Sequence, residues 1–266
     1  RDADVIMLAN MPLAPVVLEE AKNLKFIDVA FTGVDHIPMA EAKQRGIAVS
    51  NASGYATQAV AELCVSFMIQ LLRNVARRET LPERRHQGRP GGQPAVREDR
   101  GHRGCRCHRQ EGGCLCKAFG CSVLAYNRST VSDPAIDEQV SLEELLKRSD
   151  IVSLHCPLTA DTKGMIGKDQ LALMKKSALL INTARGGVLD SAALADALEK
   201  GEIAGAACDV FETEPPLPTD HPLLHCPNTI VTPHIAFASV ESMEQRADIV
   251  FNNLYSWLDG KQVNAV

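Results

Sequence analysis

ALLINTARGGVLDSAALADALEKGEIAGAACDV, residues 178–210, decides the fold. It opens with an apolar run of strand length, Ala178 to Asn182, and passes into a polar turn, Asn182-Thr183-Ala184-Arg185-Gly186-Gly187. A helix-like stretch then starts near Asp190, whose side chain suits an N-cap, and stops at Gly201, a good helix terminator. A second apolar run, Ala204 to Val210, closes the unit. Strand, helix, strand at these lengths implies a parallel sheet covered on both faces.

The same alternation extends outward. Phe26 to Ala30, Val123 to Tyr126, Ile151 to Leu154 and Thr229 to Thr232 read as strands. Gln58 to Arg73 is a long, largely apolar helix of the kind that sits between packed layers. Val240 to Asp259 is an amphipathic helix carrying the only Trp. Asp4-Val5-Ile6-Met7-Leu8 already reads as a strand beside a first residue, Arg1, that is not Met, so an N-terminally incomplete chain is expected.

The chain has 266 residues, 45% hydrophobic and 23% charged, which suits one large or two medium folded domains and excludes wholesale disorder. No apolar run approaches the roughly 18 residues of a membrane span. The net charge of −5 gives no footprint for nucleic acid. Nothing among the nine cysteines resembles a secreted disulfide framework, which points to a reducing cytoplasm.

Sheets of this kind bind ligands at the carboxyl ends of their strands. Polar clusters fall there at Thr32-Gly33-Val34-Asp35, His155-Cys156-Pro157, Asn182 to Gly187 and Thr232-Pro233-His234, with Asp209 to Pro216 following a further strand. An Arg beyond one strand can clamp a carboxylate with two hydrogen bonds. A His beyond another can exchange a proton near neutral pH, and a neighbouring carboxylate would hold it protonated. Singly, a loop Arg is more often solvated and a Glu before Pro-Pro is often a turn residue; their combination in register is what argues for catalysis. His36, His221 and His225 read as loop histidines without a role.

These residues resemble the D-isomer-specific 2-hydroxyacid dehydrogenases, the group that includes glycerate dehydrogenases (hydroxypyruvate and glyoxylate reductases) and phosphoglycerate dehydrogenases. The resemblance runs in order through F-T-G-V-D-H-I (31–37), G-Y-A-T-Q-A-V-A-E (54–62), D-I-V-S-L-H-C-P-L-T (150–159), I-N-T-A-R-G-G-V-L-D (181–190), D-V-F-E-T-E-P-P (209–216) and T-P-H-I-A (232–236). It implies a Rossmann-type doubly wound parallel sheet over 74–240. It also implies a smaller, N-terminally truncated flavodoxin-like α/β substrate domain over 1–73 plus 241–266.

By position, the family's catalytic Arg, Glu and His fall on Arg185, Glu214 and His234. Its substrate-carboxylate loop falls on Thr32 and Gly33. His155, Cys156 and Pro157, then Thr183 and Ala184, match the shelf near the nicotinamide, and Thr162 is a further cofactor-binding position. Asp209 matches the acid at the carboxamide, and Ala236 lies where that pocket closes. The implied reaction is hydride transfer between a nicotinamide cofactor and C2 of a small 2-oxo or 2-hydroxy acid, with His234 delivering the proton. Glu214 argues against the formate-oxidising branch, which uses Gln there. The resemblance further implies a homodimer, no metal, and as alternatives a phosphoglycerate dehydrogenase or a non-catalytic NAD(H)-sensing dimer of the corepressor type.

The second strand of a dinucleotide fold usually ends in an acid that binds the ribose 2′-OH. Here Tyr126 is followed by Asn127-Arg128-Ser129. With no acid there and an Arg available, NADP is favoured over NAD.

Residues 80–116 stand apart. They hold 8 Arg and no Lys, 7 of the 18 Gly and 4 of the 9 Cys. The family's G-x-G-x-x-G belongs just before Lys117, where backbone must approach a pyrophosphate at a helix N-terminus. Gly104 is present, and Cys107 and His108 occupy pyrophosphate-binding positions, but Arg106 and Arg109 stand in place of the second and third glycines. A zinc site built from the C-x-C pairs with His102 and His108 fits poorly, because structural zinc spacing is C-x₂₋₄-C. An Arg-rich insertion would leave the fold without its phosphate loop. A third reading is a one-base-shifted translation over about 81–116. The genetic code permits positions 101–113, read in the neighbouring frame, to spell G-I-V-G-V-G-A-I-G-R-R-V-A, and positions 97–100 to spell G-K-T-V.

Overall fold

The computed structural model describes residues 2–75, 100–104, 106–213 and 216–266, with the backbone alone described over 100–104 and 106–110. The chain divides into two units, one made of the residues up to Thr57 with Ala238–Val266 and the other of Gln58–Phe237. The division falls before the long helix rather than after it at residue 73, so that helix joins the second unit. Its Cys64 thiol lies 3.1 Å from the Thr183 hydroxyl of that unit.

The first unit holds three parallel strands in the order β1 (Val5–Leu8), β2 (Phe26–Val29), β3 (Ala48–Asn51). Two short helices, α1 (Pro15–Glu20) and α2 (Met39–Gln44), cross between them. Every residue of β2 is buried, as the middle strand of a parallel sheet must be. The core combines Leu18, Ile27, Val29, Ile37, Ala42 and Val49. The last helix of the chain spans Val240–Leu258 and is capped by Ser239, whose hydroxyl accepts the N–H of Ser242. It returns to this sheet, where Trp257 stacks on Phe26 with ring centroids 4.9 Å apart.

The second unit begins with α3 (Thr57–Arg73) and contains β4 (Arg100–Gly104), α4 (Arg106–Ala118), β5 (Val123–Tyr126), β6 (Glu138–Gln139) and α5 (Leu142–Arg148). It continues with β7 (Ile151–His155), α6 (Lys168–Ala172), β8 (Leu179–Asn182), α7 (Ser191–Glu199), β9 (Gly205–Cys208) and β10 (Thr229–Val231). The final helix, Val240–Leu258, is therefore α8. The seven strands run parallel in the order β10-β9-β8-β7-β4-β5-β6. Chain order reverses at β4, with β5 on one side and β7 on the other, which makes a topological switch point.

The residues of the opening quotation fold as their pattern predicts. β8 and β9 are fully buried and pair directly. Asp190 caps α7 through the Ala193 N–H at 2.9 Å, and Gly201 ends it at φ +65°. Gly205 is required by packing, since a Cβ there would lie 2.3 Å from Asn228 Nδ2. A core cluster of the unit joins Leu154, Leu180, Leu194, Leu198 and Ala206. One element goes against its sequence: β4 takes the central place in the sheet with residues written Arg-Gly-His-Arg-Gly, where a buried parallel strand calls for an apolar run.

Candidate active site

Because all seven strands are parallel, their C-terminal ends share one edge of the second unit. Gly104 ends β4 and pairs with His155 at the end of β7. α4, 13 residues long, starts at Arg106 immediately after that edge, so its N-terminal N–H groups open at the switch point. Cys107 and His108 lie in the first turn of that helix.

Beside β4, the His155 ring is buried and its Nε2 lies 2.8 Å from the Ser153 hydroxyl. Cys156 is half-buried. Pro157 accepts the Thr162 hydroxyl through its carbonyl at 2.6 Å, which ties the loop after β7 into a turn. The Thr183 hydroxyl contacts Cys64, whose buried thiol is pushed up to about 11 by desolvation.

At the end of β8, Asn182 fixes the turn from both sides. Its Oδ1 accepts the Ala184 N–H at 3.1 Å, and its Nδ2 donates to the Arg185 carbonyl at 3.1 Å. The Arg185 guanidinium donates to the Ala184 carbonyl at 2.7 Å. Gly186 follows, and a Cβ there would sit 1.8 Å from the Phe211 carbonyl carbon. The Arg185 turn is therefore pressed against the segment that follows β9, a contact only glycine allows. Asn182 escaped the reading of the sequence as a positioning residue. The signal was available, since an Asn whose side chain bonds the backbone two residues on is a recognised turn former.

On the segment after β9, Glu212 Oε1 accepts the Ser191 N–H at 3.1 Å, and His221 Nε2 approaches Glu212 Oε2 at 3.7 Å. The proposed catalytic acid, Glu214, lies outside the described residues. Asp209 is fully buried. It accepts the Thr232 hydroxyl and the N–H groups of Ile235 and Ala236, at 2.9 and 2.8 Å, on its two carboxylate oxygens. Burial raises its pKa, and these three hydrogen bonds pull it back down in part. The turn so held carries His234 at φ +54°, a left-handed conformation that a non-glycine residue adopts only under constraint. The His234 ring meets Phe237 edge to face at 5.5 Å.

The second strand of this sheet, β5, ends in Asn127-Arg128-Ser129. Asn127 Nδ2 bonds the carbonyl and hydroxyl of Ser129, each at 3.1 Å, and Gln139 on β6 holds the same turn through the Asn127 and Ser129 carbonyls. Arg128 reaches outward to pair with Asp161 at 3.0 Å, both side chains 71% exposed.

In the first unit the loop after β2 carries Thr32 and Gly33. Asn51 at the end of β3 donates to the Thr32 carbonyl at 2.7 Å and Ala52 N–H donates to the Phe31 carbonyl at 3.1 Å. Asn253 of α8 holds the Asn51 carbonyl at 3.0 Å. Among the described residues the N–H groups of Thr32 and Gly33 have no acceptor, and the buried Thr32 hydroxyl has no partner. Backbone donors left open beside an orphaned hydroxyl fit an anion. No group of three His, Cys, Asp or Glu among the described residues is placed to hold a metal ion.

A 13-residue helix that opens at the switch point of a parallel sheet fits a dinucleotide cofactor. Comparison with known proteins agrees. Residues 111–236 match the NAD binding domain of the D-isomer specific 2-hydroxyacid dehydrogenases. A hydroxypyruvate reductase from Blautia hydrogenotrophica is 33% identical over 100% of this chain and 85% of its own length. A glycerate dehydrogenase from Methylorubrum extorquens is 38% identical over 100% of this chain and 86% of its own. Among solved structures, an acyclic imino acid reductase in complex with NADPH and D-Arg superposes with a TM-score of 0.89 at 30% identity, over 99% of this chain and 85% of that one. The Rossmann sheet, the ordered motifs and these relatives lead to one conclusion: the chain belongs to the D-isomer-specific 2-hydroxyacid dehydrogenases, NAD-dependent oxidoreductases acting on small 2-oxo and 2-hydroxy acids.

Proposed function

We propose that the protein reduces hydroxypyruvate and glyoxylate to D-glycerate and glycolate, with NADPH as the favoured cofactor. The observation that carries this reading is the pair of constrained turns at the C-terminal ends of β8 and β10, one presenting Arg185 and the other presenting His234 and held by Asp209 from the end of β9. A bound nicotinamide supplies the hydride. Arg185 then holds the substrate carboxylate and polarises the C2 carbonyl. His234, protonated and supported by Glu214, delivers the proton to the developing alkoxide. The N–H groups of Thr32 and Gly33 offer the first unit's own anion site. Asn182 and Gly186 keep Arg185 in position, so that orientation is set before substrate arrives.

The preference for NADPH rests on the turn after β5. It lacks an acid that would repel a 2′-phosphate, and its Arg128 is held only by an exposed pair with Asp161, which is worth about 0–1 kcal/mol and is readily exchanged for a phosphate. A homodimer in the cytoplasm belongs to the same reading.

Oxidation of NADPH and NADH by the purified protein should be followed with hydroxypyruvate, glyoxylate and 3-phosphohydroxypyruvate. Turnover of the first two above the third supports the assignment. Preferential turnover of the phosphorylated acid moves it to the phosphoglycerate enzymes. Tight cofactor binding without turnover of any acid replaces it with a nucleotide sensor.

A further inference from the structure

Arg246 lies on α8, half-buried, against the residue that introduces the Thr32–Gly33 loop. Its guanidinium carbon is 5.4 Å from the centroid of the Phe31 ring and 5.8 Å from that of Tyr55. The two rings meet edge to face, 6.1 Å apart at 72°. A guanidinium between two aromatic faces is fixed in place by its charge while its N–H groups stay available. Among the described residues no carboxylate or carbonyl takes those donors. Phe31 is followed directly by Thr32, with its partnerless buried hydroxyl, and by the open N–H groups of Thr32 and Gly33. In the first unit, the ring that seats this guanidinium is therefore the immediate chain neighbour of the backbone anion site. Packing alone gives no reason for a cation here, since a Met would fill the space between the rings.

We propose that Arg246 is a specificity residue that donates hydrogen bonds to an oxygen substituent on C3 of the substrate, while the C1 carboxylate rests on the Thr32 and Gly33 N–H groups. This rests on the reading of the protein as a 2-oxo acid reductase and narrows its substrates to acids bearing oxygen at C3. Hydroxypyruvate has that oxygen and pyruvate has a methyl group in its place, so this pair isolates the interaction. A site built to bond a hydroxyl discriminates strongly against the analogue lacking it, because its donors are then left unpaired.

The test compares wild type with Arg246→Met and Arg246→Lys. One readout is kcat/KM for hydroxypyruvate over that for pyruvate. The other, independent of turnover, is the Kd of D-glycerate against that of D-lactate, by calorimetry with cofactor present. In Arg246→Met both ratios should fall by about tenfold or more while the constants for pyruvate and D-lactate stay within about twofold. Arg246→Lys, which keeps charge but loses the planar fork, should fall between, and decides the matter if the Met variant does not fold. Unchanged ratios, or equal losses for both acids of a pair, overturn the proposal. Absence of wild-type turnover with either oxo acid overturns the activity assignment instead, and the Kd ratios then decide the role of Arg246.

Discussion

The backbone N–H of His234 donates to the Asp209 carbonyl at 2.8 Å, and the next two N–H groups along the chain donate to the Asp209 carboxylate at 2.9 and 2.8 Å. One buried acid thus gathers the whole turn that presents the imidazole. The family places a carboxamide-binding acid at this position; here both of its oxygens already serve the turn. Asp209→Asn would set an NH₂ group against an N–H or hydroxyl donor. Loss of about 1–3 kcal/mol of stability is expected, with a fall in kcat that exceeds any change in cofactor Kd. Denaturant unfolding and steady-state kinetics check this, and a variant equal to wild type in both would remove Asp209 from its positioning role.

His234 itself sits at φ +54°, so the choice of replacement matters. Asn tolerates the left-handed region better than Ala and removes the titrating ring. His234→Asn should lower kcat by about 10²–10⁴-fold, the usual worth of a proton donor, with cofactor Kd and melting temperature unchanged. Retention of more than about a tenth of wild-type turnover would show that another group supplies the proton.

The exposed pair of Arg128 with Asp161 separates the two cofactors. Arg128→Ala should raise KM for NADPH by about tenfold and leave that for NADH nearly unchanged, since charge-assisted bonds to phosphate are worth about 1.5–3 kcal/mol. Asp161→Asn releases the guanidinium and should lower KM for NADPH. If Arg128→Ala moves both constants alike, the preference for NADP has no basis in this residue.

Stability should depend on pH through Asp28. Its side chain is fully buried on β2, one oxygen accepts Asn253 Nδ2 at 3.0 Å, and the other has no partner. Desolvation pushes its pKa up to about 6 from 3.8, opposed in part by the Asn253 bond. Between those values the folded chain holds the proton more firmly than the unfolded one, so stability falls as pH rises through that window and is level above it. The loss is on the order of 3 kcal/mol. Asp28→Asn, which keeps the acceptor for Asn253, should remove this slope and be the more stable protein near pH 7. The single Trp257, stacked on Phe26 in the same unit, reports the unfolding by fluorescence. Parallel pH profiles for the two proteins would refute the assignment.

Local pattern accounts for what was legible beforehand. Val123–Tyr126 and the start of α8 at Val240 stand where apolar runs and periodicity put them, and Asp190 and Gly201 bound α7 through short-range chemistry. The polar positions at the ends of β7 to β10 were legible as neighbours because a parallel sheet sends every strand end to one edge. Long-range partners were not. Asp28 finds Asn253 across 225 residues, and Arg246 finds Phe31 across a similar span, with nothing in the local pattern of either to announce it. The same holds for the domain division, since α3 reads equally well as belonging to either unit until Cys64 is seen beside Thr183.

β4 sets the last prediction. It lies inside the sheet, between β5 and β7, and its written residues, Arg100-Gly101-His102-Arg103-Gly104, lack the apolar run that such a place calls for. The neighbouring reading frame permits V-G-I-V-G at the same five positions, an apolar strand ending in glycine, followed by the glycines that a pyrophosphate requires. We infer that residues of about 81–116 are a one-base-shifted translation, and that the molecule carries the phosphate loop its family needs. Mass mapping of tryptic and Glu-C peptides from the purified protein decides this. Peptides spanning 101–116 should be poor in Cys and carry the masses of the shifted sequence. Recovery of the written Gly-His-Arg-Gly-Cys-Arg-Cys peptides would sink the idea, and would leave two arginines where backbone has to meet the cofactor.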